Sequence, residues 1–144
     1  MQIVLDTNIW LDWLVFDDPA VVPLKSARRD GLVRIAVNPA CLEELGRVLA
    51  YPEFELDEAT RNALFTQVRN CTYRVDTKLL SPLPRCADPD DQKFLELARD
   101  AQAHWLITKD KALLSLARKR WEGAGFRIGT PEHWTAECES VISQ

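Results

Sequence analysis

This sequence of 144 residues has few of the side chains that usually hold a zinc ion or form a disulfide framework. Its four cysteines are widely scattered without a CxxC pair, and its two histidines do not stand at ligand spacing. We therefore expect reduced thiols and a cytoplasmic protein. The chain also has no run of about eighteen apolar residues and no charged, cleavable leader, so neither a membrane span nor a signal peptide is expected.

A strongly basic character is missing as well. The chain carries 18 Lys and Arg residues against 22 Asp and Glu residues, which gives a formal net charge of -4. A protein with this balance does not attract nucleic acid through its overall field, so any contact with nucleic acid must be local. The length and the hydrophobic content of 47% predict a single globular domain over residues 1–144.

Short apolar runs alternate with helical patterns along the chain, which predicts an α/β fold with a parallel sheet covered by helices on both faces. Buried strands are predicted at residues 3–5, 34–37 and 104–108, and a weaker strand at residues 74–80. Helices are predicted at residues 9–16, 20–29, 40–50, 58–68 and 88–101, and a last helix begins at Lys111. Residues 81–86 contain two prolines and are predicted to form a loop.

Two of the predicted strands are followed directly by a polar turn that contains an aspartate. Asp6 follows the first strand, and Asp110 follows the strand at residues 104–108. Because the carboxyl ends of parallel strands meet at one edge of a sheet, where ligands usually bind, both acids are candidates for chemistry. The alternative is that each aspartate only caps the helix that follows it.

A third candidate acid lies on the helix predicted at residues 40–50. At about 100° per residue, the apolar stripe of this helix centres on Leu45, Glu44 lies at the edge of the stripe, and Glu43 points nearly opposite. We therefore expect Glu44, and not Glu43, to reach inward. The alternative is that Glu44 forms a surface ion pair with a base such as Arg47.

The segment Asp88-Pro89-Asp90-Asp91 opens another helix with three acids. Asp88 as the N-cap and Pro89 at the first helical position account for part of this pattern. Asp91 projects toward the buried side of the helix, but Asp90 lies on a similar bearing, so helical rotation alone does not separate them. Carboxylates gathered in one cleft repel one another unless cations are bound, and oxygen ligands without Cys or His favour Mg²⁺ or Mn²⁺.

Four segments together resemble the PIN-domain family, a family of ribonucleases that includes many toxins of prokaryotic toxin–antitoxin pairs. The matching segments span nearly the whole chain and read LDTNIW, CLEELGRVLAYPEF, DPDDQKFLELA and LITKDKALL. Each motif is weak alone, and their order and spacing make the match specific. The resemblance implies a three-layer sandwich with a parallel sheet of about five strands between helices, and metal-dependent cleavage of RNA.

The resemblance also assigns roles to individual residues. It places the third acid at Asp91, because Phe94 and Ala98 stand at the family's apolar and small positions further along the helix. The predicted catalytic and metal-binding residues are Asp6, Glu44, Asp91 and Asp110. The predicted supporting residues are Thr7, Asn8, Thr108 and Asp88.

The mechanism that this assignment implies is hydrolysis by an activated water molecule. A Mg²⁺ or Mn²⁺ ion held by Asp6, Asp91 and Asp110 would polarise the phosphate and acidify the water, while Glu44 orients that water or holds a second ion. As in the family, the products would carry a 5′-phosphate and a 3′-hydroxyl. Lys109 and Lys111 are candidates for contacts to the RNA backbone. The expected partners are the RNA substrate, an antitoxin protein and a second copy of the chain in a homodimer.

Two other protein classes place an acid at the end of the first strand. A haloacid-dehalogenase-like phosphatase needs a second Asp two residues later, where this chain has Asn8. A receiver-type signalling domain has an acidic Mg²⁺ site and a functional lysine, for which Lys109 is a poor substitute, and it has no need of Glu44. Transient phosphorylation of an aspartate by a small phosphodonor would favour either of these classes over a nuclease.

Overall fold

Five short parallel strands form the centre of the molecule. The computed structural model describes residues 1–76, 89–117 and 125–142. In these residues the strands are Gln2–Leu5 (β1), Arg34–Val37 (β2), Thr72–Arg74 (β3), Trp105–Ile107 (β4) and Arg127–Gly129 (β5). Their order in the sheet is β3-β2-β1-β4-β5, and every neighbouring pair is parallel. The predicted fold class, a parallel α/β sheet of five strands, is confirmed.

Helices cover both faces of this sheet. The α-helices of the described residues are Thr7–Leu14 (α1), Val22–Arg29 (α2), Pro39–Leu49 (α3), Glu58–Cys71 (α4), Gln92–Asp100 (α5), Lys111–Leu116 (α6) and Pro131–Ile142 (α7). Short 3₁₀ turns at Pro19–Val21, Pro52–Phe54 and Pro89–Asp91 precede α2, α4 and α5. None of the helices in this part of the chain is long and apolar enough to cross a membrane.

The alternation of side chains along β1 explains why the sheet has helices on both faces. Ile3 and Leu5 belong to one buried cluster, which includes side chains of α1, α2, α3 and α7. Val4 lies between them in sequence and belongs to a second cluster, built mainly from α5 and α6. Because successive side chains of a strand point to opposite faces, an uninterrupted apolar run can be buried only between two layers.

The predicted elements in the first half of the chain lie close to the observed ones. Strand β2 has the predicted limits, and α3 begins at Pro39, one residue before the predicted start, with Asn38 Oδ1 accepting a hydrogen bond of 2.9 Å from the Cys41 amide. Helix α4 continues to Cys71, three residues past the predicted end at Val68. Strand β3 begins at Thr72, two residues before the predicted strand at residues 74–80, because Thr72 already pairs with Ile35 of β2.

The prediction that the helix from Lys111 is the last element is wrong. Strand β5 and helix α7 follow it. Strand β5 is a three-residue edge strand in which Ile128 is the only large buried side chain, so it produces no periodic pattern. The predicted loop at residues 81–86, Asp88 and residues 77–80 of the predicted strand lie outside the described residues.

Two glycines provide a test of the packing that holds β4, β5 and α7 together. A Cβ atom at Gly129 would lie 2.8 Å from Cζ3 of Trp105 and 3.3 Å from Cβ of His133. Trp105 is buried, so its ring has little room to move away from the added methyl group. We predict that Gly129→Ala lowers the free energy of unfolding by about 1–3 kcal/mol. Urea denaturation followed by circular dichroism measures this change.

Gly46 is the matched control for this substitution. It lies inside α3, and a Cβ atom there would meet only Cε2 of Phe65 at 3.8 Å, an ordinary contact. Gly46→Ala should therefore raise the free energy of unfolding by up to about 1 kcal/mol, since alanine is the better helix former. Equal effects of the two substitutions would contradict the packing described for Gly129.

Candidate active site at the carboxyl edge of the sheet

The predicted site lies where the strand order reverses. The chain runs outward from β1 through β2 to β3 and then returns to β4 on the other side of β1. In open α/β sheets this arrangement leaves a crevice at the carboxyl ends of the strands. Leu5 of β1 pairs with Ile107 of β4, and the Asp6 amide donates a hydrogen bond of 3.0 Å to the Ile107 carbonyl oxygen. The residues that follow the two strands are thus neighbours.

Asp6 is the most buried acid of this crevice, with 3% of its surface exposed. Its Oδ1 accepts a hydrogen bond of 3.0 Å from the Asn8 amide at the start of α1, and its Oδ2 accepts one of 2.5 Å from Thr108 Oγ1. Burial raises the pKa of Asp6, and the charges of Asp110 and Glu44 raise it further, while the two hydrogen bonds oppose the rise. A bound cation would therefore relieve an unfavourable charge.

Thr108 connects the two acids that follow the strands. Its hydroxyl donates to Asp6 and accepts a hydrogen bond of 2.9 Å from the Asp110 amide. Asp110 in turn caps α6, because its Oδ1 accepts hydrogen bonds from the amides of Ala112 at 2.7 Å and Leu113 at 3.3 Å. Asp110 therefore caps α6 and lines the crevice at the same time, and only its Oδ1 atom takes part in the cap.

Glu44 enters the crevice from α3, as the helical rotation predicted, while Glu43 is exposed on the outside of the helix. Its Oε2 accepts a short hydrogen bond from Thr7 Oγ1. Its Oε1 forms an ion pair of 2.8 Å with Lys93 Nζ, and the side chains of Glu44 and Lys93 are only 16% and 19% exposed. The base that pairs with Glu44 is thus Lys93 of α5, and not Arg47.

Lys93 is a site residue that the sequence did not reveal. It stands two positions after Asp91 at the start of α5, and α5 packs against α3. Helical periodicity identifies partners within one helix. This ion pair joins residues of two different helices, and the two residues are 49 positions apart in sequence. The only signal in the sequence is that a base closely follows the acid cluster.

Asp91 and Asp90 both line the same crevice. Asp91 ends the 3₁₀ turn before α5, and its side chain makes no capping hydrogen bond to that helix. Asp90 is exposed, whereas Asp91 is half-buried. Asp88 lies outside the described residues.

The crevice has a volume of about 380 Å³. Its lining residues share a position beyond the carboxyl ends of β1 and β4, and they are Asp6, Thr7, Asn8, Leu11, Glu44, Val48, Tyr51, Glu53, Phe54, Asp90, Asp91 and Asp110. The carboxylates supply the oxygen donors that Mg²⁺ and Mn²⁺ prefer. In the described part of the chain, however, no three acidic, histidine or cysteine side chains stand close enough to hold a metal ion without moving. The donor chemistry of the lining carboxylates fits a divalent cation.

The two lysines predicted to contact RNA have different surroundings. Lys109 Nζ lies 2.5 Å from Oδ2 of the buried Asp12, so its charge is already paired within the protein. Lys111 is exposed at the start of α6. Contact of either lysine with RNA stays a prediction.

The fold and the crevice define a parallel α/β protein with an acidic site at the switch point of its sheet. The PIN-domain family model matches residues 2–112, and the chain belongs to this family. PIN domains are generally nucleases that use divalent metal ions. The chain is also similar to the uncharacterized protein MJ1680 of Methanocaldococcus jannaschii, with 24% identity over 99% of this chain and 95% of that protein. No solved structure matches the chain.

The family match and the sheet order decide between the protein classes considered from the sequence. A receiver-type domain has the strand order 2-1-3-4-5, with β1 between β2 and β3. Here β1 lies between β2 and β4, so the receiver-type interpretation is wrong. The phosphatase interpretation is set aside by the family match and by Asn8, which stands where that class requires a second acid.

The Lys93–Glu44 ion pair yields a prediction about stability. Lys93→Met keeps most of the apolar stem but leaves the half-buried Glu44 carboxylate without its cation, close to Asp6. We predict that this substitution lowers the free energy of unfolding of the metal-free protein by about 1–3 kcal/mol. Denaturant unfolding in the presence of EDTA measures the change.

The exposed Lys111 provides the control. Lys111→Met removes the same charge from a surface position and should change the free energy of unfolding by no more than about 0.5 kcal/mol. If Lys93→Met were equally silent, the ion pair would contribute nothing to the arrangement of the site.

Proposed function

We propose that this protein is a Mg²⁺- or Mn²⁺-dependent endoribonuclease that hydrolyses RNA phosphodiester bonds. The observation that carries the proposal is the chain of contacts from Asp6 through Thr108 to Asp110, which fixes two acids at the switch point of a PIN-domain sheet. Asp91, which ends the 3₁₀ turn before α5, and Glu44 of α3 line the same crevice. Because the net charge is -4, binding of RNA must depend on the local site and not on the overall field of the protein.

Asp6, Asp91 and Asp110 are the residues that would hold the metal ion. Each of them lines the crevice. The hydrogen bonds that cap α6 use Oδ1 of Asp110 and not Oδ2. The chemistry that a bound Mg²⁺ or Mn²⁺ supplies is polarisation of a phosphate oxygen and a lower pKa for water. Thr108 and the Asn8 amide orient Asp6, so they act as supporting groups for the ligand.

Glu44 is the residue that we assign to the water molecule. Thr7 and Lys93 each engage one of its carboxylate oxygens, which fixes the orientation of the group. A carboxylate held in this way orients water for in-line attack on phosphorus and accepts its proton. The bond between phosphorus and the 3′-oxygen breaks, the leaving 3′-oxygen takes up a proton from solvent water, and the products carry a 5′-phosphate and a 3′-hydroxyl. No side chain of the protein acts as a covalent nucleophile in this scheme.

We further propose that the protein is the toxin of a type II toxin–antitoxin pair, acting in the cytoplasm as a homodimer. This proposal is supported by the family to which the chain belongs, because such toxins are common in it. The family model matches most of the chain. A gene for a small DNA-binding protein directly upstream would favour this assignment. Sedimentation of a monomer at micromolar concentration would contradict the homodimer.

The activity itself is the first prediction from this assignment. The purified protein with Mn²⁺ or Mg²⁺ should cleave a mixed pool of single-stranded RNA, and EDTA should abolish the cleavage because the acids alone cannot activate water. Gel electrophoresis and end-group analysis of the fragments measure the reaction. Cleavage that persists in EDTA would remove the proposed mechanism.

Two adjacent glutamates on α3 test the position of the site. Glu44→Gln keeps the shape of the side chain but removes its charge, so we predict at least about a hundredfold slower cleavage, the scale of a lost general base. Glu43→Gln is the matched control, since Glu43 is exposed on the opposite side of the helix and should be silent. The measurement is the cleavage rate of each variant as a function of metal concentration. An essential Glu43 with a dispensable Glu44 would show that the acid on the crevice side of α3 is not catalytic.

A further inference from the structure

Three aromatic rings lie at the outer end of the acidic crevice. Tyr51 and Phe54 line the crevice itself, together with Glu44 and Asp91. The ring of Phe16 packs edge-on against Phe54, with 5.9 Å between the ring centroids. Tyr51 is 47% exposed and Phe16 is 58% exposed, although large apolar side chains are usually buried in a core. We call these three residues the aromatic platform.

Helix α3 determines where the platform lies relative to the proposed catalytic carboxylate. Glu44, Val48 and Tyr51 are spaced at i, i+4 and i+7, so they follow one face of the helix into the turn after it, and all three line the crevice. The helical part of this path, from Glu44 to the end of α3 at Leu49, corresponds to a rise of about 7 to 8 Å. The platform is therefore displaced from Glu44 along the axis of α3.

The backbone around the platform is held by consecutive hydrogen bonds. The Tyr51 amide donates to the Val48 carbonyl oxygen at 3.0 Å, the Phe54 amide to that of Tyr51 at 3.1 Å, and the Glu55 amide to that of Pro52 at 3.1 Å. The rings of Tyr51 and Phe54 are parallel to within 4°, with 6.5 Å between their centroids. A flat ligand that stacks on one ring therefore lies parallel to both.

We propose that the aromatic platform binds an unpaired base of the RNA substrate, close to the phosphate that is cleaved. This inference rests on the proposed nuclease function and adds the binding site for the substrate. Stacking on aromatic side chains is the usual way in which proteins hold single-stranded nucleic acid, and it requires bases that are not paired. The carboxylate of Glu53, at the same end of the crevice, would repel a phosphate, so a neutral base is the part of the nucleotide that fits there.

The test is Tyr51→Ala, assayed for RNA cleavage and for RNA binding. The platform lies away from the reacting atoms, so its loss removes binding that is the same in the ground state and the transition state. We expect KM to rise by about tenfold or more with little change in kcat, the scale of one lost stacking contact. Tyr51→Trp keeps a flat aromatic ring and should restore KM.

Binding is measured separately with a short single-stranded RNA that contains the fluorescent base 2-aminopurine, in the presence of Ca²⁺. The fluorescence of this base is quenched when it stacks, so wild-type protein should quench it and Tyr51→Ala should not. The same RNA annealed to its complement hides its bases, and its binding should not depend on Tyr51. Leu32→Ala is the control, because Leu32 is 60% exposed but precedes β2 at the opposite edge of the sheet.

The outcomes separate this inference from the proposed function. If the wild-type protein cleaves RNA and Tyr51→Ala keeps its KM and its quenching, the platform is not a base-binding site, although the nuclease assignment stands. If Tyr51→Ala and Phe16→Ala change the sedimentation of the protein while RNA binding is unaltered, the platform is a protein interface and the inference is overturned. If the wild-type protein neither binds nor cleaves RNA, both the proposed function and the inference fail.

Discussion

The pairing of β1 with β4 is the constraint on which the acidic site depends. Because the two strands are parallel neighbours, the residues that follow them, Asp6 and Thr108, emerge side by side and hydrogen-bond to each other. The Thr108 hydroxyl also accepts a hydrogen bond from the Asp110 amide. The ends of two buried strands thus fix the positions of Asp6, Thr108 and Asp110. The apolar core on both faces of the sheet thereby sets the position of the carboxylates.

This arrangement places negative charge where the protein alone does not stabilise it well. Burial and the neighbouring carboxylates raise the pKa of Asp6, which means that the folded protein disfavours the ionised form. Lys93 compensates part of the charge by pairing with Glu44, and Thr7 holds the other oxygen of that carboxylate. The charge that remains among the acids is what a divalent cation would neutralise. Perturbed pKa values of this kind are common at functional sites.

The sequence allowed the central strands and the acids to be predicted because their signals are local. An uninterrupted apolar run marks β1, and the helical rotation of α3 separates Glu44 from Glu43 without knowledge of the fold. The edge strands are harder to predict, because β3 and β5 are less buried than the equally short β4 and their positions depend on pairing with a neighbour. Lys93 and the aromatic platform are invisible for the same reason, because both depend on contacts between separate elements.

The most direct test of the central claim is whether the carboxylates of the crevice bind a divalent cation. Electron paramagnetic resonance of free Mn²⁺ measures binding without a substrate. The wild-type protein should bind Mn²⁺ saturably, and Asp110→Asn, which keeps a good helix cap, should weaken the binding by at least about tenfold. Asp57→Asn is the matched control, because Asp57 caps α4 outside the crevice and should leave binding unchanged. Absence of saturable binding by the wild-type protein, or equal losses in both variants, would contradict the account.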